Sequence, residues 1–318
     1  MNLRHRPWAL LLALLATLSL VAAACGDDDG GSESSADLSE LRLGGPPDCP
    51  TNPGCIPGLQ EVYGIDLSAN FVELDGGGPL TVEALNGGEV DIAVLFSTNP
   101  VLTENDWVVL ADPDGLVKAD NIIPVMTQEL VDAYPDLESV SDEVSDALNT
   151  ETLTELNRLV DVELLVADDV AARFLENEGL LDADGDAPPD GPTITIGAQA
   201  FGESTILAQV YGQALEARGY PVEYQDLGGY RDIVFASFES GDINYTLEYA
   251  ASALEFLNEF AGEATADAVE TADLLRGHLE PLGLVAAQPS DAVDQNVFVV
   301  TRQTADEYGL ESLADLAG

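Results

Sequence analysis

Apolar and polar positions divide the chain into two long stretches, in each of which short apolar runs alternate with segments of helical period. The later stretch is the clearer. Thr193 to Gly197 (TITIG) is a β-branched run ending at glycine, the pattern of a buried strand. GESTILAQVYGQALEARG follows, with Ile206, Val210 and Leu215 at helical spacing and Gly219 as a stop. PVEYQDL predicts the next strand, RDIVFASFESG a helix closed by Gly241, and DINYTLEY another strand. Strands and helices alternating at this pitch predict an α/β fold with a largely parallel sheet.

The earlier stretch, from about Leu41 to Leu181, echoes that unit. GPLTVEALNGGEVDIAVLFST has the same helix, glycine, acid and strand layout, and LNGGEVDIAVL can be laid beside FESGDINYTLE. This weak repeat predicts two lobes built alike. From Thr127 to Leu181 the pattern is almost wholly helical, with Thr127, Ser141 and Thr152 as candidate caps. Residues 182–192, DADGDAPPDGP, have the Asp, Gly and Pro content of a surface linker. The stretches on either side of it are thus 37–181 and 193–318 of a 318-residue chain.

Charge changes the picture. The chain carries 59 acidic and 10 basic residues, for a formal net charge of -49, yet 46% of its residues are hydrophobic. The apolar content excludes a disordered acidic tail, and the charge argues against nucleic-acid binding. The N-terminus explains where such a chain works. Arg4, His5 and Arg6 precede a short apolar run, Trp8 to Val21, which ends in Ala22-Ala23-Ala24-Cys25. Residues 1–24 read as a signal peptide. Cys25 resembles the lipidated cysteine of a bacterial lipoprotein box, although Ala22 stands where Leu is more usual. Residues 25–36 then form an acidic, flexible tether. These features predict an exported protein held at the outer face of the cytoplasmic membrane by lipid only. In that compartment Cys49 and Cys55, with Pro50 and Pro53-Gly54 turning the chain between them, can close a disulfide loop. Zinc is the weaker alternative, because no second cysteine pair exists and His5 and His278 are the only histidines.

Two ordered series of motifs carry a more specific resemblance. LRLGGPPDCPTNPGCIPGLQEVYG, GGGPLTVEALNGGEVDIAVLFSTNP, WVVLADPDG and NIIPVM resemble the C-terminal half of osmoprotectant-type substrate-binding proteins of ABC importers, the glycine betaine/choline family. TITIGAQAFGESTILAQVYGQALEARGY, FESGDINYTLEYAASALEFL and VFVVTRQTADEYGLESLADL resemble the N-terminal half. The order is reversed relative to that family. ADLSELRLGGPP continues where ESLADLAG stops, as in a circular permutation, with DADGDAPPDGP joining the former termini. The alternatives are halves paired between two chains, or a frame taken from adjacent gene copies. The resemblance implies a two-lobed, type II periplasmic-binding fold of mixed sheets flanked by helices, with the ligand in the cleft between lobes. It implies one lobe of about 119–295 and another of 37–118 plus 296–318. It also implies a small quaternary-amine ligand and an ABC permease as partners.

The ligand chemistry selects the candidate site. A quaternary ammonium has no N–H to donate and is held by aromatic faces. Tyr249 in EYAAS matches the family's tyrosine, and Ser252 its hydrogen-bonding neighbour. Phe96 in LFST matches an aromatic position in the other lobe, and Tyr230 in GGYRD offers a further face. Asn296 and Asp120 stand where relatives carry tyrosines; Gln199 and Asn52 stand where relatives can carry a cation for the betaine carboxylate. Arg231 is the nearest cation to serve instead, and a carboxylate at Asp120 favours a purely cationic ligand. Trp107 reads as core or hinge packing and His278 as a solvated helix residue. No phosphate loop or Ser–His pairing supports an enzyme, and no cofactor or metal is implied. The alternative to transport is a sensor or scaffold that keeps the fold.

Overall fold

The computed structural model describes residues 38–181 and 191–317, which belong to one compact unit. The signal segment, Cys25, the acidic tether and nearly all of the linker lie outside the described residues. In chain order the first strands are β1 (Leu43–Gly45), β2 (Phe71–Glu73), β3 (Ile92–Phe96), β4 (Trp107–Val109) and β5 (Ile122–Thr127). They are followed by β6 (Ile194–Ala198), β7 (Val222–Asp226), β8 (Tyr245–Tyr249), β9 (Leu284–Ala286) and β10 (Asn296–Thr301). They form two five-stranded sheets, ordered β2-β1-β3-β10-β4 in lobe A and β7-β6-β8-β5-β9 in lobe B.

The two orders are the same order. In each lobe three strands are parallel: β1 pairs with β2 and β3, and β6 pairs with β7 and β8. A strand donated by the other stretch of chain then inserts antiparallel between the third strand and the edge. β10 pairs with β3 and β4, and β5 pairs with β8 and β9. The chain crosses between sheets in 110–121 and again in 287–295. The largely parallel sheet expected from local alternation is therefore corrected to a mixed one. The antiparallel strand comes from a distant segment, and local periodicity does not reveal its partner.

The strands lie where the apolar runs placed them, because alternate side chains feed two cores. Ile92 and Val94 of β3 face one cluster with Phe298 and Val300 of β10, whereas Ala93, Leu95 and Val299 face another. Ile122 and Met126 of β5 join Ile194, Ile196 and Leu247, whereas Ile123 and Val125 pack under Leu254, Leu275 and Leu279. Both faces of each sheet are thus covered. Trp107 is buried in lobe A, and its indole N–H donates to Asn86 Oδ1 at 3.1 Å.

Thr127 does cap its helix, accepting from Leu130 N–H. Ser141 and Thr152 do not. Ser141 sits inside the helix Leu137–Ala147, donates to Leu137 C=O and accepts from Tyr245 O–H in the core. The helix after it, Thr150–Asn157, is capped by Asn149, which accepts from Thr152 N–H. Cys49 and Cys55 are disulfide-bonded in the loop after β1. Leu41 and Leu43 share one apolar cluster with Leu310, Leu313 and Leu316, and Leu38 packs against it.

Candidate functional site

The carboxyl ends of the parallel strands in both lobes converge on one cleft, the place where α/β sheets present their loops to ligands. Phe96 ends β3 and lies opposite Asn296, the first residue of β10. Gln199 and Phe201 follow β6, Tyr230 and Arg231 open the helix after β7, and Tyr249 ends β8. All of these line the cleft, with Pro46, Asp48, Asn52, Asp120, Ser252, Asp294 and Gln295. Every candidate ligand residue read from the sequence is among them. The cleft admits the centre of a water-sized sphere over about 60 Å³. At roughly 10–15 Å³ per water on that measure, the space suits a ligand of a handful of heavy atoms.

Four rings wall this space. Phe201 is the hub, with centroids 5.7 Å from Phe96, 6.5 Å from Tyr230 and 6.0 Å from Tyr249. Phe96 belongs to lobe A and the other three to lobe B. A Cβ at Gly76, in the glycine run after β2, would lie 3.4 Å from the Phe96 ring and 3.8 Å from the Tyr230 hydroxyl. The bare glycine lets that loop approach both rings. Phe201 was not singled out from sequence, although it stands in the AQAF motif just past the end of β6. Ring spacing, which sequence does not supply, is what identifies it.

The polar groups are predominantly acidic. Arg231 Nε donates to Glu248 Oε2 at 2.9 Å, and Glu248 is fully buried. The one guanidinium lining the cleft is thus ion-paired through Nε, with Asp120 and Asp48 as further acidic neighbours of its charge. Asp120 accepts from Ser252 N–H at 2.9 Å and from the Ser252 hydroxyl at 2.5 Å. Burial outweighs those bonds and pushes the Asp120 carboxyl up to about 6. On the other side Asn52 donates to Asp48 and accepts from Gly54 N–H, and Asn296 donates to Gly54 C=O.

Behind the rings lies a network that sequence reading missed. Glu203, on the helix Gly202–Ala217, accepts from Tyr249 O–H at 2.7 Å, Thr98 O–H at 2.5 Å and Asn157 N–H at 2.6 Å. Asp294 accepts from Thr98 N–H at 3.1 Å and the Ser97 hydroxyl at 3.2 Å. Burial raises both carboxyl groups; Glu203 makes Asp294 harder still to ionise, whereas its hydrogen bond with Asp294 favours the ionised form of Glu203. Among the described residues three buried side-chain atoms lack a partner: Asn157 Oδ1, Gln199 Nε2 and Glu248 Oε1. Gln199 lines the cleft, Glu248 binds Arg231 and Asn157 binds Glu203, so all three gather at this site. Among the described residues no group of three or more His, Cys, Asp or Glu side chains is placed to hold a metal ion.

The model of the family described as the substrate-binding domain of ABC-type glycine betaine transport systems matches residues 31–177 and 192–318. A glycine-betaine-binding protein of Pseudomonas aeruginosa PAO1 is 29% identical over 134 residues, which are 42% of this chain and 42% of that protein. The glycine betaine-binding protein YehZ of Escherichia coli K12 is 27% identical over 128 residues, 39% of this chain and 42% of that protein. The match thus spans about two-fifths of the curated relatives. The apo structure of YehZ superposes over 88% of this chain and 91% of its own, at a TM-score of 0.36 and 14% identity.

Proposed function

The chain belongs to the family of substrate-binding domains of ABC-type glycine betaine transport systems, and we propose that it is an exported lipoprotein that delivers a small quaternary amine, such as choline or glycine betaine, to an ABC permease. One observation carries this reading. Four aromatic rings from two lobes converge with buried carboxylates on a cleft of a few heavy atoms' volume. Aromatic faces attract a cation that cannot donate a hydrogen bond, at about 0.5–2 kcal/mol per ring depending on desolvation. Closure of one lobe on the other would bury such a ligand.

Isothermal calorimetry of the purified protein with choline and with glycine betaine tests the reading. Saturable binding of either supports it; binding of neither, with the protein folded, overturns it. The anchor rests on the order of basic segment, apolar run, small residues and Cys25. Mass spectrometry of the native N-terminus should find Cys25 lipidated, and cleavage elsewhere or an unmodified Cys25 would remove it. The reversed order of halves is read as a circular permutation. The closeness of Leu41 and Leu43 to Leu313 and Leu316 in one cluster supports this. A reordered chain, 193–318 followed by 37–181, should bind the same ligand as a monomer. Loss of folding, or assembly only as a dimer, would reject the permutation.

A further inference from the structure

Glu203 and Asp294 are fully or almost fully buried, at 6% and 3% exposure, and both bond to Thr98. The groups facing them can be counted. Thr98 and Ser97 come from the loop after β3, Asn157 from the helix Thr150–Asn157 and Tyr249 from β8. Asp161 lies beside Gly202, at the start of the helix that carries Glu203. Every one of these groups is neutral or acidic. The guanidinium that lines the cleft, Arg231, is ion-paired with Glu248, with Asp120 and Asp48 as further acidic neighbours. Two buried carboxyl groups without a cation cannot both hold a charge. They must share a proton until something positive arrives.

The rings are where it would arrive. Asp294 lines the cleft itself, and Glu203 is bonded to the hydroxyl of the Tyr249 ring that walls it. Resting on the quaternary-amine reading, we propose that the Glu203–Asp294 pair is the counter-charge of the ligand, so that a quaternary ammonium enters the cleft in exchange for a proton held between the two carboxyl groups. No bond other than the O–H is broken; the proton leaves to solvent and the ligand's fixed charge replaces it. A ligand with net positive charge completes this exchange. A zwitterion also brings a carboxylate, which meets a guanidinium whose charge Glu248 already balances, and gains less. Burial raises both members of the pair.

Choline and glycine betaine are the probes. Calorimetry of the whole protein in buffers of different ionisation enthalpy, from pH 5.5 to 8, reads protons released per ligand. Choline should release up to one proton, and its affinity should rise with pH by up to about ten-fold per unit where release is complete. Asp294→Asn should abolish the release and flatten the pH dependence. Asp120→Asn, which weakens binding by removing a different carboxylate, should leave the release in place. Choline binding without proton release would overturn the exchange while leaving the ligand reading intact. Release lost in Asp120→Asn but kept in Asp294→Asn would also overturn it, by moving the proton to Asp120. Binding of neither probe at any pH would instead fail the quaternary-amine reading. If Asp294→Asn does not fold, the buffer series on Asp120→Asn decides the exchange: release kept there supports the Glu203–Asp294 pair, and release lost there overturns it.

Discussion

Lobes A and B share a strand order, and each receives its fourth strand from the other's stretch of chain, but they bring different chemistry to the cleft. Lobe B supplies Phe201, Tyr230 and Tyr249, whereas lobe A supplies Phe96. Among the described residues the carboxyl groups pushed upward are Asp120, Asp161, Glu203 and Asp294, all in lobe B or the two segments that cross to and from it. Lobe A holds its cleft loop with a disulfide instead, and hydrogen bonds keep its Asp66, Asp91 and Asp315 carboxyl groups below the usual range, as they do at the exposed Glu155 and Glu263 of lobe B. One topology thus serves as a strained, charged platform on one side and a braced lid on the other. Desolvated charge is costly, and it is concentrated where a ligand would relieve it.

The largest effect expected from this contrast is on stability against pH. A carboxyl group whose folded pKa is raised binds more protons folded than unfolded, so stability falls as pH rises between the unfolded and folded values. For Asp120 that window runs from 3.8 to about 6. Its cost at neutral pH is on the order of 2–3 kcal/mol. Urea melts from pH 4.5 to 8 should show Asp120→Asn with a flatter profile than the unaltered protein across that window. Parallel profiles would mean that Asp120 is not the strained group and that the platform side carries less cost than its burial implies.

Next in size is the brace. Cys49 and Cys55 are 6 positions apart, and closing so short a loop restricts the unfolded chain by roughly 2 kcal/mol. Cys49→Ala with Cys55→Ala should lower stability by about that amount. It should also weaken ligand binding, because the loop carries Asp48 and Asn52. Unchanged binding would show that this loop does not shape the lid.

The rings then test platform against lid directly. Phe201→Ala or Tyr249→Ala should cost ~1–2 kcal/mol, a five- to thirty-fold loss of affinity. Phe96→Ala, removing the single ring of lobe A, should cost ~0.5–1 kcal/mol and act mainly on the dissociation rate. A larger loss at Phe96 than at Phe201 would reverse the assignment of roles.

Local order was legible in the sequence, and assembly was not. The run TITIG, the glycine stops at Gly219 and Gly241, and the repeat LNGGEVDIAVL/FESGDINYTLE all mark real elements, because a period and a stop are short-range properties. The antiparallel insertion of β5 beside β8 was invisible, since strand partners are settled by distant packing. The aromatic matches at Tyr249 and Phe96 came from the family resemblance, and Tyr230 from its place after a glycine turn at a helix start. Phe201, Glu203 and Asp294 emerged only from geometry. In a chain with 59 acids, nothing in composition distinguishes two buried carboxyl groups from their solvated neighbours.

The internal repeat also offers the smallest and cleanest comparison. Laid side by side, LNGGEVDIAVL and FESGDINYTLE put Asp91 against Asn244, each just before the third strand of its lobe. Both side chains perform one task. Asp91 accepts from Arg42 N–H at 2.9 Å, next to β1, and Asn244 accepts from Thr195 N–H at 2.7 Å, within β6. Each pins the first strand to the turn preceding the third. They differ in charge: Asp91 also takes the Arg42 guanidinium, whereas Asn244 donates to Thr193 C=O. Replacing either by Ala should cost ~1 kcal/mol, the typical worth of such bonds. The partly exposed ion pair adds at most ~0.5–1 kcal/mol at low salt. In melts at 0.05 and 1 M salt, each measured against the unaltered protein, the Asp91→Ala deficit should shrink with salt because the ion pair is screened. The Asn244→Ala deficit should not change. Equal salt dependence in both would mean that the shared backbone bond, and not the charge, holds this joint in lobe A as it does in lobe B.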